Sequence, residues 1–140
     1  MATILLADDC KNIREYCRRE FEEEGYRVVV ARDGGEALRM MSHAEPDLVI
    51  LDIFMPGLNG LETISRIHTV HPDLAVIFFT SFDDACVRDK RSEFAAACVE
   101  KRGDLSELKK VVASVLRSKR QGQSYHRLGL PTRTTLGATV

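Results

Sequence analysis

Four places in this sequence hold side chains able to work together on one substrate: Asp8-Asp9, Asp52, Thr80 and Lys101. Asp52 closes the apolar run in "LVILDIFMPGLNG". A lone buried charge is expensive, so an acid at that point needs partners. The acid pair follows "TILLA", Thr80 follows "AVIFF" and Lys101 follows "AAACVE". Three carboxylates brought together repel, which raises a pKa or recruits a cation. Oxygen donors with room for water and phosphate oxygens suit Mg²⁺. Lysine is a compact cation that neutralises further negative charge, and the Thr80 hydroxyl can donate to an oxyanion. A carboxylate can also act as a nucleophile and form an aspartyl-phosphate. With Mg²⁺ and Lys101 offsetting three acids, the set is near neutral before an anionic phosphoryl group arrives. The chemistry indicated is phosphoryl transfer to Asp52, governed by positioning and charge stabilisation.

These residues meet only if the fold gathers them at one rim. Five apolar runs read as strands: Thr3–Ala7, Arg27–Ala31, Leu48–Leu51, Ala75–Phe79 and Ala95–Val99. Most are continuously apolar, as in a parallel sheet covered on both faces. Helical periodicity lies between them. Ile13, Tyr16, Cys17 and Phe21 mark a first helix ended by Gly25. Asp33-Gly34-Gly35 opens a second, and Asn59-Gly60 a third. A fourth, near Asp83–Glu93, has a thin apolar face. Asp104-Leu105-Ser106-Glu107 reads as a reciprocal cap on a fifth. Five βα units in series predict an α/β, doubly wound (βα)5 sheet with helices on both faces. In such sheets function collects outside the carboxyl ends of the strands, where the acids, the hydroxyl and the lysine fall.

The 140 residues suffice for one ordinary domain with its own core. No apolar run approaches a membrane span, and "MATILLADD" is not a signal-type start, so a cytoplasmic protein is expected. Seven of the 20 bases follow Glu107, the last acid, leaving 13 bases against 21 acids in residues 1–107, a net charge of −8. An acidic body argues against nucleic acid as the main ligand. Cys10, Cys17, Cys86 and Cys98 show no CxxC pairing and no metal-ligand spacing; reduced, buried thiols are expected. His43, His68, His71 and His126 read as surface residues. Residues 119–140 carry no sustained period and read as a flexible tail to a domain of residues 1–118.

The segments "ILLADD", "EEEGYRVVVARDGGEAL", "PDLVILDIFMPGLNGLE", "PDLAVIFFTS" and "VEK", in this order, resemble the receiver domain of two-component response regulators over roughly residues 2–117. The resemblance implies a flavodoxin-like three-layer sandwich with parallel strands in the order 2-1-3-4-5. It implies Asp52 as phosphoacceptor, Asp9 as a direct Mg²⁺ ligand, Asp8 acting largely through water, and Phe54 lending its backbone carbonyl to the metal. Thr80 would contact the phosphoryl group and move with it. Lys101 would pair with phosphoryl oxygens, or with Asp52 before reaction. The donor would be a histidine kinase or histidine phosphotransfer protein. The output would be a protein partner or homodimer formed through the fourth helix, fifth strand and fifth helix, or onward phosphotransfer.

Three features depart from the family pattern. Cys98 stands where the family usually has Tyr or Phe, too small to signal by bulk. Arg102 follows Lys101 where the family usually has a cis proline; a cis bond before another residue costs about 3–4 kcal/mol, so a trans bond is predicted. Phe54 and Phe82, two residues after Asp52 and Thr80, flank the expected phosphoryl position, and two large rings there predict a long-lived phospho-form. Three other functions compete. A Mg²⁺-dependent phosphatase would commonly need an acid where Phe54 stands. An inert binding module is at odds with the complete set Asp8, Asp9, Asp52, Thr80 and Lys101. A dinucleotide-binding protein lacks its glycine fingerprint, because the first βα turn reads "ADDCKN".

Overall fold

A computed structural model describes residues 1–81, 86 and 88–121. Its elements, in order, are β1 (Thr3–Ala7), α1 (Lys11–Glu23), β2 (Arg27–Ala31), α2 (Gly34–Ala44), β3 (Leu48–Leu51), α3 (Gly60–Val70), β4 (Ala75–Thr80), a 3-10 helix (Lys90–Phe94), β5 (Ala97–Glu100) and α4 (Ser106–Arg120). All strand pairs are parallel, and the sheet order is β2-β1-β3-β4-β5, as expected.

The continuous apolar runs follow from burial on both faces. Ile4, Leu6 and Ile50 point to one side, against Cys17 and Phe21 of α1 and Leu108, Val112 and Val115 of α4. Leu5, Ala7, Val49 and Leu51 point to the other, against Ala37 and Met41 of α2 and Leu61, Ile64 and Ile67 of α3. Alternation along each strand therefore produces two cores, one under each helical layer. β2 is an edge strand, and its first residue, Arg27, is exposed.

Local signals set the helix starts. Asp33 accepts from the Glu36 amide at 2.8 Å. Asn59 makes a full capping box with Glu62, at 2.9 and 3.0 Å. The fifth predicted helix, α4, starts differently. Leu105 occupies the cap without a side-chain bond, while Asp104 accepts from the Ser106 amide at 3.0 Å. The expected reciprocal box is absent because Asp104 closes a tight local turn instead. α4 runs to Arg120, two residues into the segment read as tail.

β5 begins at Ala97 rather than Ala95, because the amide of Ala95 still closes the 3-10 turn onto Ser92. Residues 83–85 and 87 of the fourth predicted helix, with Phe82, lie outside the described residues, as do His126 and residues 122–140, and the end of that segment forms the 3-10 helix. Cys86 and Cys98 form a disulfide, against the expectation of reduced thiols. Of the other two cysteines Cys17 is buried and Cys10 exposed. His68 is not at the surface as expected but half-buried, its ring stacked on Phe94 at 3.9 Å. Among the described residues no peptide bond is cis, so Lys101–Arg102 is trans as predicted. No described helix is long and apolar enough to cross a membrane.

Candidate functional site

The sheet order reverses between β1 and β3, and the site lies where their carboxyl ends diverge. Ladder bonds hold its backbone. The Asp8 amide donates to Ala31 at 3.1 Å, and the Asp52 amide donates to Ala7 at 3.0 Å. On the far side, the Lys101 amide donates to Thr80 at 2.7 Å. The strand ends thus present Asp8, Asp52 and Lys101 toward one shallow cavity of about 410 Å³, also lined by Asp9, Phe54 and Ser81, while Thr80, just before Ser81, is buried behind it.

Carboxylate oxygens of Asp8, Asp9 and Asp52 lie within 4.8 Å of one another. Asp8 and Asp52 are buried, and Asp9 is exposed. The Lys101 ammonium sits 2.6 Å from Asp8 and 3.2 Å from Asp52, with the Phe79 ring beneath it. Asp8 is fixed further by the Cys10 amide, at 2.9 Å. Burial pushes the Asp52 carboxyl above its usual range; Lys101 pulls it back, and Asp8 adds to the rise. Burial disfavours charge on Lys101 as well, but the bonds and charges of Asp8 and Asp52 outweigh it and hold its ammonium protonated. Hard oxygen donors at this separation suit a small divalent cation.

Thr80 is fully buried, and its hydroxyl has no hydrogen-bond partner. A buried hydroxyl left without a partner is uncommon and calls for a structural or functional cause. Phe54 is 55% exposed beside the cavity, and its backbone amide bonds to Asp52. Gly57, at φ 73°, turns the chain behind it.

Gly60 opens α3 and also bears on the site. A Cβ there would fall on the Asp52 carbonyl and lie 2.7 Å from the Ile53 Cα. The helix start can pass behind Asp52 only without a side chain. The signal in the sequence was "NG" eight residues after Asp52, which marks a turn but not the close approach.

Residues 4–113 match the family described as response regulator receiver domain. The chain belongs to that family. Response regulator MprA of a Mycobacterium species (strain KMS) is 39% identical over 85 residues, which cover 61% of this chain and 37% of MprA. The chain thus spans about a third of the length of the curated relatives it matches. Response regulator TrrA of Thermotoga maritima, solved with Mg²⁺–BeF, is 39% identical with a TM-score of 0.78, covering 82% of this chain and 99% of that one. A structure of histidine kinase ThkA in complex with TrrA contains a chain 40% identical, with a TM-score of 0.77 and coverage of 83% and 99%. A CheY-like receiver from Methanospirillum hungatei, 24% identical, shares the fold with a TM-score of 0.79 over 88% of this chain and 99% of that one.

Proposed function

We propose that this receiver accepts a phosphoryl group on Asp52 from a histidine kinase or histidine phosphotransfer protein, in a Mg²⁺-dependent reaction. The reading includes a cytoplasmic setting and output through a phosphorylation-dependent partner, a homodimer or onward relay. It rests above all on the Asp52 carboxylate, which opens into an acid cup and has a partly buried ammonium 3.2 Å away. The TrrA structures, one with Mg²⁺–BeF and one with a histidine kinase, support the metal and the donor class.

The Asp52 oxygen attacks phosphorus in line, the P–N bond to the donor imidazole breaks, and the imidazole leaves carrying its electron pair. Lys101 is close enough to Asp52 to follow the negative charge onto the phosphoryl oxygens. The unpartnered Thr80 hydroxyl supplies a donor to another of those oxygens. Asp8, Asp9, Asp52 and the Phe54 carbonyl would hold Mg²⁺, which when bound neutralises charge shared by the carboxylate and the phosphoryl group. Phe54 covers part of the mouth and hinders an attacking water, so the phospho-form persists for minutes or longer.

Acetyl phosphate tests the reading without any kinase. With Mg²⁺, intact mass should rise by one phosphoryl group, and a chelator should abolish the rise. No added mass under conditions that label a control receiver contradicts it. Phe54→Ala should shorten the half-life of the phospho-form severalfold, followed by loss of mass in Mg²⁺ buffer at neutral pH. Decay of the unsubstituted protein within seconds would remove the shielding role.

A further inference from the structure

Cys86 and Cys98 are 12 residues apart in sequence, with Cα atoms 6.6 Å apart and a bond between them. Both are buried, at 2% and 6% exposure, in the core beneath α2 and α3. Cys98 lies in β5 directly opposite Phe78 of β4. Thr80 comes two residues after Phe78, and Lys101 three residues after Cys98. The Ser92 hydroxyl bonds to the carbonyls of Cys86 and Asp89, which anchors the 3-10 helix on Cys86. The cross-link therefore fastens residue 86, and the helix seated on it, to the strand that delivers Lys101. Across the ladder, Thr80 pairs with Glu100, and the Lys101 amide bonds to the Thr80 carbonyl. The Thr80 hydroxyl, fully buried and without a partner, is carried on this strand pair.

We propose that Cys86 and Cys98 form a reversible thiol–disulfide site that controls how readily the Asp52 pocket takes a phosphoryl group. This rests on the phosphoacceptor reading above. In the oxidised state the bond holds β5 and Thr80 in the arrangement described here; reduction frees them to close on the phosphoryl group. A structural staple is not what the fold needs, because two extensive apolar clusters already stabilise it. In a reducing compartment a disulfide is ordinarily transient or redox-sensing rather than permanent. Cys17 differs: burial pushes its thiol up to about 12, and it remains unbridged.

The exchange balances with a low-molecular-weight disulfide as oxidant. One cysteine thiolate attacks that disulfide, its S–S bond breaks, and one small thiol leaves with a proton. The second cysteine then attacks the mixed disulfide and releases the second small thiol, also protonated. Two electrons and two protons pass from the cysteine pair to the oxidant, and a dithiol reverses the process. Because both sulfurs are buried, exchange proceeds through local opening and is slow.

The test equilibrates the full chain in glutathione buffers of defined ratio, quenches in acid, alkylates after denaturation and counts free thiols by mass. Initial rates of acetyl phosphate labelling are measured in parallel. Oxidised protein should show two fewer alkylated thiols. The reduced form should label at least about fivefold faster, the low end of ordinary coupling between two sites. The double variant Cys86→Ala/Cys98→Ala should match the reduced form in every buffer. If that variant does not fold, oxidised and reduced wild type carry the comparison alone. Four alkylated thiols under oxidising conditions, or equal rates with the bond formed, overturn this inference by itself. No phosphate in either redox state removes the phosphoacceptor reading and this inference with it.

Discussion

Burying the Asp52 carboxylate costs free energy that Lys101 only partly offsets, and both groups lose stability as pH rises, each in its own window. The raised Asp52 pKa means the folded state keeps a proton that the unfolded chain has lost, so stability falls as pH rises through the window above the ordinary carboxylate value of 3.8. The raised Lys101 pKa stabilises the fold below 10.5, and that contribution is lost as pH climbs through the raised value. Asp52→Asn should therefore stabilise the metal-free protein at pH 7 by on the order of 1 kcal/mol, with the gain shrinking below pH 4. Urea melts in chelator at both pH values check this; an equal gain at both would contradict it. Thr80→Val removes a buried hydroxyl that has no partner and should raise stability by about 1 kcal/mol while slowing acetyl phosphate labelling. The acids, the hydroxyl and the ammonium were all legible from residue type at strand ends. The pairing of Lys101 with Asp8, closer than with Asp52, was not, because it depends on side-chain reach across the sheet.

Helix and strand boundaries were read well where local chemistry sets them and poorly where the ladder does. The Asn59 cap and the Gly25 stop are encoded within a few residues, and α3 and α1 begin or end where those signals fall. Ala95 and Ala96 look like strand by composition, yet the 3-10 turn retains Ala95, and the ladder begins at Ala97 opposite Ile77. At α4, Asp104 and Glu107 have capping-box spacing, but Asp104 serves Ser106 instead. Gly60→Ala would force the helix away from Asp52 and Ile53 and should cost about 2–3 kcal/mol, in the range of core overpacking. It should also slow labelling of Asp52, because the clash falls on that residue's own carbonyl. A urea melt and a labelling rate measured on one preparation check both; a neutral effect on both would show that the turn gives way freely.

Across the whole molecule, the fold class and the strand order follow from five apolar runs alternating with helical periods, because burial on both faces leaves few other arrangements. The Cys86–Cys98 bond was not legible, since a separation of 12 residues carries no spacing signal and only the folding of β5 onto β4 brings the two thiols together. By loop closure the bond should contribute about 3 kcal/mol, so reducing it should lower the urea midpoint without changing the fold. Circular dichroism in each redox state checks this, and an unchanged midpoint with the bond shown to be cleaved would contradict it. Phosphoryl transfer to this receiver would place phosphorus on one side-chain oxygen. Acyl phosphate formed from acetyl phosphate and Mg²⁺ can be trapped with borohydride and located by peptide mass. Conversion of residue 52 alone to homoserine, absent in Asp52→Asn, is the predicted result; trapping at another acid, or at none while a control receiver is trapped, would contradict it.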